Sequence, residues 1–360
     1  YTGKGKSKGS YIRVGEADLP MTEYEIYSYD AFKFKTEDEL RTNKRIDESL
    51  LDQIQVDGFI AKAVSVKPNL VNMDKKTLMT MGGLIDKNGL PTVCGIMLFG
   101  KYPQYLSPNL DIVAVVCATK NYAEESESGE RFIVNKRLDG TIPQMLESGL
   151  AFVQQNIEKS TVIDDTGHRN DVSEYPVKAI REIILNALIH RDYSIHTENA
   201  PIRIEIYPDR IEISNPGGLY GRLSIDDLGK IKADVRNPFI AAALEILNTT
   251  ENRYSGIPTI YSEMKKAGLM EPKFEDMRGT FKVTLYNSKR VQADLSEQII
   301  EFCRKPRTKE VLAKEFGFDE KHPAYFINNY ILPLIDEGKL KYTIPEKPKS
   351  KNQKIVVADN

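Results

Sequence analysis

Residues 176–213 constrain the fold most. The stretch 176–191 repeats with helical period and carries Val177, Ile180, Ile184, Ala187 and Leu188 on one face. Ser173 stands where it can cap this helix, and Pro176 suits its first turn. Ile202, Ile204 and Ile206 then alternate with Arg203 and Glu205, the period of a strand with one buried face. Pro208-Asp209-Arg210 turns the chain and Ile211-Glu212-Ile213 returns it, which predicts a hairpin. A helix with one apolar stripe and a hairpin with one apolar face bury each other by packing helix on sheet. The fold class expected is therefore α/β (α+β).

Chemistry concentrates on the same stretch. Side chains at i and i+4 share a helix face, so Glu182, Asn186 and His190 project together. A carboxylate there can orient and deprotonate water. An amide oxygen beside it can ligate magnesium, a hard ion that bridges nucleotide phosphates. The turn Asn215-Pro216-Gly217-Gly218 lets backbone approach a base or ribose closely, with a polar side chain at its head. His190 also suits the helix C-terminus, where the dipole favours it. His190-Arg191-Asp192 imitates a kinase catalytic loop, but Thr197 stands where that loop needs asparagine, so a structural or site-wall role is expected. Glu182 with His190 lacks the third ligand of a zinc site.

The arrangement resembles the GHKL superfamily of type II topoisomerases, histidine kinases and mismatch-repair ATPases. Glu182-Ile-Ile-Leu-Asn186 resembles its helix motif, and Gly279-Thr280-Phe281 its strand threonine. Asn215 stands where that family has an adenine-reading aspartate, and Asn252-Arg253-Tyr254-Ser255-Gly256-Ile257 replaces its glycine-rich lid. The resemblance implies an α/β sandwich with a mixed sheet, and ATP and Mg2+ as cofactors. It implies Glu182 as catalytic residue and Asn186 as metal ligand. Asn186, His190, Asn215, Gly217, Gly218, Arg253, Ser255, Gly256 and Thr280 are the implied nucleotide contacts. The wider stretch, including Ile211-Glu-Ile-Ser-Asn-Pro-Gly-Gly-Leu219 and Arg236-Asn-Pro238, is similar to bacterial predicted transcriptional regulators labelled RecG-like. In those, a divergent GHKL-like domain follows a Schlafen AlbA-type domain and precedes a helix-turn-helix. Tyr11-Ile-Arg-Val-Gly15 resembles the last AlbA strand. The start at Tyr1-Thr2-Gly3, without methionine, reads as a fragment of something longer. No Walker A or DEAD-type box supports a helicase motor.

Around this centre, 46–66, 75–83 and 141–158 have helical spacing, while the apolar runs 93–98 and 110–119 suit buried strands. Residues 280–286 alternate and are expected to close the sheet. Segments 224–230, 236–247 and 259–267 read as helices, and 122–131 as a loop. Gly5-Lys6-Ser7 lacks the upstream glycine of a phosphate loop and reads as a basic loop entering a strand. The expected division is 1–30 as an AlbA remnant, 31–90 as a helical linker, 91–290 as the nucleotide-binding domain and 293–360 as a winged helix-turn-helix.

Charge bears on partners. Net charge is -2, so any nucleic-acid footprint must be local. Between residues 338 and 355, Lys339, Lys341, Lys347, Lys349, Lys351 and Lys354 stand against Glu346 alone. Two strands, at 340–344 and 355–357, join through this basic loop, after helices at 295–302, 309–316 and 325–336. Lys347, Lys349 and Lys351 suit phosphate contact, and Asn328 and Asn329 can read adenine edges. Pro333 is expected to bend or shorten the third helix. Pairing with protein is the competing role of this module.

Cys94, Cys117 and Cys303 are far apart and form no CxxC, so reduced thiols of a cytoplasmic protein are expected. No apolar run approaches the roughly 20 residues that span a bilayer. The reading is a nucleotide-responsive transcriptional regulator, DNA-binding and homo-oligomeric. A slow ATPase in nucleic-acid handling or defence, or a non-catalytic dimerisation scaffold, are its alternatives.

Overall fold

A computed structural model describes residues 5–14, 17–163, 169–221, 223–231, 234–249, 256–316, 323, 326–347, 350 and 353–358. The chain forms two compact units, Tyr1–Tyr286 and Asn287–Asn360. The expected segments 1–30 and 31–90 both lie within the first.

The first unit begins with helix α1 (Lys6–Gly9), strands β1 (Tyr11–Val14) and β2 (Ala17–Pro20), and helix α2 (Glu23–Phe34). Helices α3 (Gln53–Val66), α4 (Lys75–Met81) and α5 (Val93–Phe99) follow. Then come β3 (Ile112–Cys117), β4 (Phe132–Leu138), α6 (Ile142–Asn156), the hairpin β5 (Lys159–Ile163) and β6 (Arg169–Ser173), and α7 (Val177–His190). Strands β7 (Ile202–Ile206) and β8 (Arg210–Pro216), helices α8 (Pro238–Ile246) and α9 (Gly256–Lys266), and strands β9 (Lys273–Asp276) and β10 (Thr280–Tyr286) complete it.

The mixed α/β architecture is as expected. Six strands form one sheet in the order β4-β3-β7-β8-β10-β9. Strands β3 and β7 run parallel, with Ile112 opposite Ile202, and the other strand pairs described in this sheet are antiparallel. Ile202, Ile204, Ile206, Ile211 and Ile213 are buried, as their alternation requires. Helices α6 and α7 pack on this sheet, and α9 packs on α7. Ile180, Ile184, Ala187 and Leu188 of α7 lie in the core with Ala179, Ile183, Leu185 and Ile189.

Several elements differ from the expected ones. Residues 93–99 form a helix, not a strand. Thr92 caps it by accepting the Gly95 N–H at 3.0 Å, and every residue from Val93 to Phe99 is buried. A segment surrounded by protein shows no polar face, so its apolar run carries no period. Pro176, not Ser173, occupies the N-cap position of α7, and Ser173 lies in β6. β10 is flanked by β8 and β9, so β9 is the sheet edge and β10 does not close it. Helix α9 begins at Gly256, before the expected start at 259.

Helix α2 fastens the N-terminal segment to the sheet. Thr22 and Glu25 form a reciprocal cap at its start. Glu25 also accepts Arg278 Nε at 2.8 Å and Nη2 at 2.7 Å, a two-pronged ion pair beside the first residue of β10. Before α3, the fully buried Glu39 accepts the N–H groups of Phe239 (3.0 Å) and Ile240 (2.8 Å), capping α8 from a distant part of the chain.

In the second unit, α10 (Ser288–Phe302) and α11 (Lys309–Glu315) precede a π-helical turn (Ile327–Ile331) that runs into α12 (Leu332–Asp336). Pro333 lies where the π-helical turn passes into α12, so the break in regular α-helical hydrogen bonding falls at the proline that cannot donate. Strands β11 (Leu340–Tyr342) and β12 (Ile355–Val357) pair antiparallel. Buried Gln353 fastens the connecting loop by accepting Ile344 N–H at 2.9 Å and donating to Ile344 O at 2.8 Å. The unit has its own core around Ile299, Leu312, Phe326, Ile331 and Leu340.

Candidate functional site

Helix α7 presents Glu182, Asn186 and His190 on successive turns, each half-buried. Asn186 Nδ2 donates to Glu182 Oε1 at 3.4 Å. The N-terminus of α9 stands against this pair. A Cβ on Gly256 would lie 2.4 Å from Glu182 Oε1 and 2.8 Å from Asn186 Nδ2, so a larger residue would have to displace these two side-chain ends. The first N–H groups of a helix lack intrahelical partners and carry partial positive charge. A carboxylate and an amide therefore face a ready anion-binding end.

Between α7, α9 and the turn after β8 lies a cavity of about 110 Å3. Asn186 and His190 line it from α7, and Asn215, Gly217 and Gly218 from the turn. Asp234 and Tyr220 add polar groups, while Ile183, Ile213, Leu219, Ile257, Phe281 and Val283 supply apolar wall. A largely apolar wall with a few convergent polar groups is the composition of small-molecule sites. Asn215 is buried at 4% exposure, and its Nδ2 donates to Pro216 O at 3.3 Å. Gly217 has φ of 102°, in the left-handed region that favours glycine. Burial, and secondarily the nearby Arg236 cation, push the His190 imidazole down to about 4, so it is neutral at pH 7.

A buried polar hub holds the turn in place. Asp192 Oδ2 accepts the Tyr24 hydroxyl at 2.7 Å and Arg236 Nη1 at 3.2 Å. Arg236 Nη2 reaches Gly218 O at 3.0 Å, and Asp192 N–H donates to Pro216 O at 2.9 Å. Asn237 Nδ2 donates to Ile189 O and Arg191 O, 2.7 Å each, and so satisfies carbonyls at the end of α7. Arg191 itself is buried and donates to Thr197 O at 3.1 Å. The His-Arg-Asp stretch thus shapes the wall of the cavity. In the sequence Asp192 stands out only within the kinase-like His190-Arg191-Asp192, and Tyr24 carries no local signal. The Arg236-Asn-Pro238 stretch was the available signal.

Not every expected contact faces the cavity. Glu182, Gly256 and Thr280 are not among its lining residues. Thr280 pairs with Pro216 at the head of β10, and strand alternation turns Phe281 and Val283 inward instead. Arg253 and Ser255 lie outside the described residues. Among the described residues no group of three His, Cys, Asp or Glu side chains gathers as a metal site. All three cysteines are free and buried. In the second unit Asn328 is exposed on the π-helical turn, and Lys347 lies in the loop between β11 and β12. Lys349, Lys351 and the Asn329 side chain are outside what is described. Among the described residues, no helix is long and apolar enough to cross a membrane.

Comparison with known proteins places this site in context. Residues 199–285 match the family described as "Putative ATP-dependent DNA helicase recG C-terminal". The crystal structure of the DIP2311 protein from Corynebacterium diphtheriae is similar in fold, with a TM-score of 0.52 at 17% sequence identity. The similarity covers 91% of this chain and 65% of that one. No curated protein matches the sequence. Strands β7 to β10 with helices α8 and α9 therefore form an ATPase-like segment resembling that C-terminal region, and α7 lies just upstream of it.

Proposed function

We propose that the first unit binds ATP with magnesium in the cavity between α7, α9 and the 215–218 turn, and that the second binds DNA. The chain is then a nucleotide-responsive transcriptional regulator. The observation that carries this reading is the convergence of Asn186, the Asn215–Gly218 turn and the α9 N-terminus on one cavity. The α9 N-terminus suits phosphate, and Asn215 suits a base edge. The residues fit magnesium in part: Asn186 offers a hard oxygen, and phosphate oxygens with water would supply the other ligands. Bound magnesium would neutralise phosphate charge. Glu182, one turn from Asn186, orients water, which favours slow ATP hydrolysis as the second reading.

Helices α10, α11 and the 327–336 stretch, followed by the β11–β12 hairpin, support a winged helix-turn-helix reading for the second unit. Its lysine-rich loop, containing Lys347, Lys349 and Lys351, suits phosphate contact, with Asn328 and Asn329 on the preceding helical stretch. A homo-oligomer suits such a regulator, because paired copies read paired half-sites.

Isothermal titration of ATP with magnesium tests the nucleotide half on the native chain and on Asn186→Ala. Heat from the native chain, lost in the variant, is expected. No heat from either protein removes the nucleotide claim. Phosphate release that Glu182→Ala abolishes supports hydrolysis, and a rate unchanged by that substitution refutes it.

A further inference from the structure

A second cavity of about 400 Å3 opens between α3, α4 and α8, away from the site described above. Phe59, Ile60, Leu78, Met81, Phe239 and Ile246 give it apolar walls, and Lys67 is its charged lining residue. The apolar surface continues outward. Met81 is 55% exposed, Val66 63% and Val71 64%. Exposed apolar patches of this kind mark interaction surfaces.

Charge decides what fits. Residues 53–81 carry Lys62, Lys67, Lys75 and Lys76 against Asp57 and Asp74. Both acids are engaged: Asp57 pairs with Lys75 at 2.6 Å, and Asp74 caps α4 through the Thr77 N–H at 3.0 Å. Lys62 and Lys67 form no ion pair among the described residues. The groove is thus an apolar trough whose one charged lining residue, Lys67, is not neutralised by an ion pair among the described residues. A second copy of this chain, docked groove to groove, would set Lys67 against Lys67, which is unfavourable.

We propose that this groove docks an amphipathic helix of a partner protein, with apolar residues on the inserted face and acids on its flanks. The span from Phe59 to Lys67 is about 12 Å at helical rise, matching roughly two turns of a partner helix with anchors at i, i+4 and i+7. Arg236 and Asn237 directly precede α8, so the groove shares a helix with the clamp on the 215–218 turn.

The probe is a fluorescent synthetic helix of about 18 residues, leucine on one face and glutamate elsewhere, titrated by polarisation against the whole chain. Its control replaces every glutamate with lysine. The acidic helix should bind saturably, and the basic one at least about tenfold more weakly. Met81→Glu, at a half-exposed position, should keep the circular dichroism and melting temperature yet weaken the acidic helix by about tenfold or more. Lys67→Glu should weaken the acidic helix and strengthen the basic one. The proposal is overturned if both helices bind equally, if neither binds, or if Met81→Glu leaves binding unchanged. It is also overturned if Met81→Glu dissociates an oligomer of the native chain in light scattering, which would make a second copy the occupant.

Discussion

Asp192 and Arg236 form a nearly solvent-free ion pair, with side-chain exposures of 1% and 7%, whose guanidinium also holds the Gly218 carbonyl. One contact thus joins the end of α7, the approach to α8 and the glycine turn of the cavity. Buried pairs punish the loss of one partner, because the other charge stays desolvated. Asp192→Ala should therefore destabilise the first unit by about 3–5 kcal/mol. Denaturant unfolding of both single variants and the double variant checks this. The double variant should recover part of the loss, and strictly additive effects would show that the pair is not coupled.

Two titrating groups act against each other. Burial pushes Glu39 from its ordinary 4.5 up to about 7. Its folded form holds the proton more tightly, so its contribution is full below pH 4.5 and is lost as pH rises through 7. His190 goes from 6.5 down to about 4, so its contribution is full above pH 6.5 and is lost as pH falls through 4. Between pH 4.5 and 6.5 the two slopes oppose and flatten the profile. Glu39→Gln should unmask stability that rises with pH across that window, and His190→Gln stability that falls. Each unmasked change is on the order of 2–3 kcal/mol. Unfolding free energies measured from pH 4.5 to 7 read the slopes directly, and parallel profiles for all three proteins would refute both assignments.

Gly256, one residue before the lining Ile257, tests the proposed placement of phosphate at the start of α9. A methyl group there meets the Glu182 carboxylate and the Asn186 amide, so Gly256→Ala must displace those two side-chain ends or α9 itself. ATP affinity should drop by about tenfold or more, with a melting temperature lowered only slightly, because the contact is at a helix end. Titration calorimetry beside thermal unfolding separates the two. Unchanged affinity would place phosphate elsewhere.

Lys347 tests the hairpin of the second unit. Replacing one phosphate-contacting lysine reduces the slope of log affinity against log salt by about 1, whatever the DNA sequence. Lys347→Ala should show that change in binding to unrelated duplexes. An unaltered slope would exclude Lys347 from the interface.

The helix and hairpin of residues 177–213 were legible because each buries one face and keeps its period. The run 93–99 was not, since burial on every side erases the polar half of the pattern. Helix α2 escaped notice because much of its packing surface is tyrosine, although Thr22 and Glu25 spelled out its cap. Strand β9, four residues long with Phe274 as its buried residue, is too short to show alternation. In the cavity, Asn186, His190 and the Asn-Pro-Gly-Gly turn could be read locally. The hub of Tyr24, Asp192 and Arg236 could not, because its members meet only after the sheet has formed.

The parallel pairing of β3 with β7 ties the cavity to distant parts of the chain. β3 and β7 are neighbours in the sheet, yet α6, the β5–β6 hairpin and α7 all lie in the chain between them. Ile112 and Ile202, which pair across that crossover, stand 90 residues apart in the chain, so this part of the sheet is held by long-range pairing and not by a local motif. A fragment trimmed to residues 199–285 would keep the hairpin and the glycine turn. It would lack α7 and the strand beside β7, leaving the isoleucines of β7 and β8 wet and the cavity without one wall.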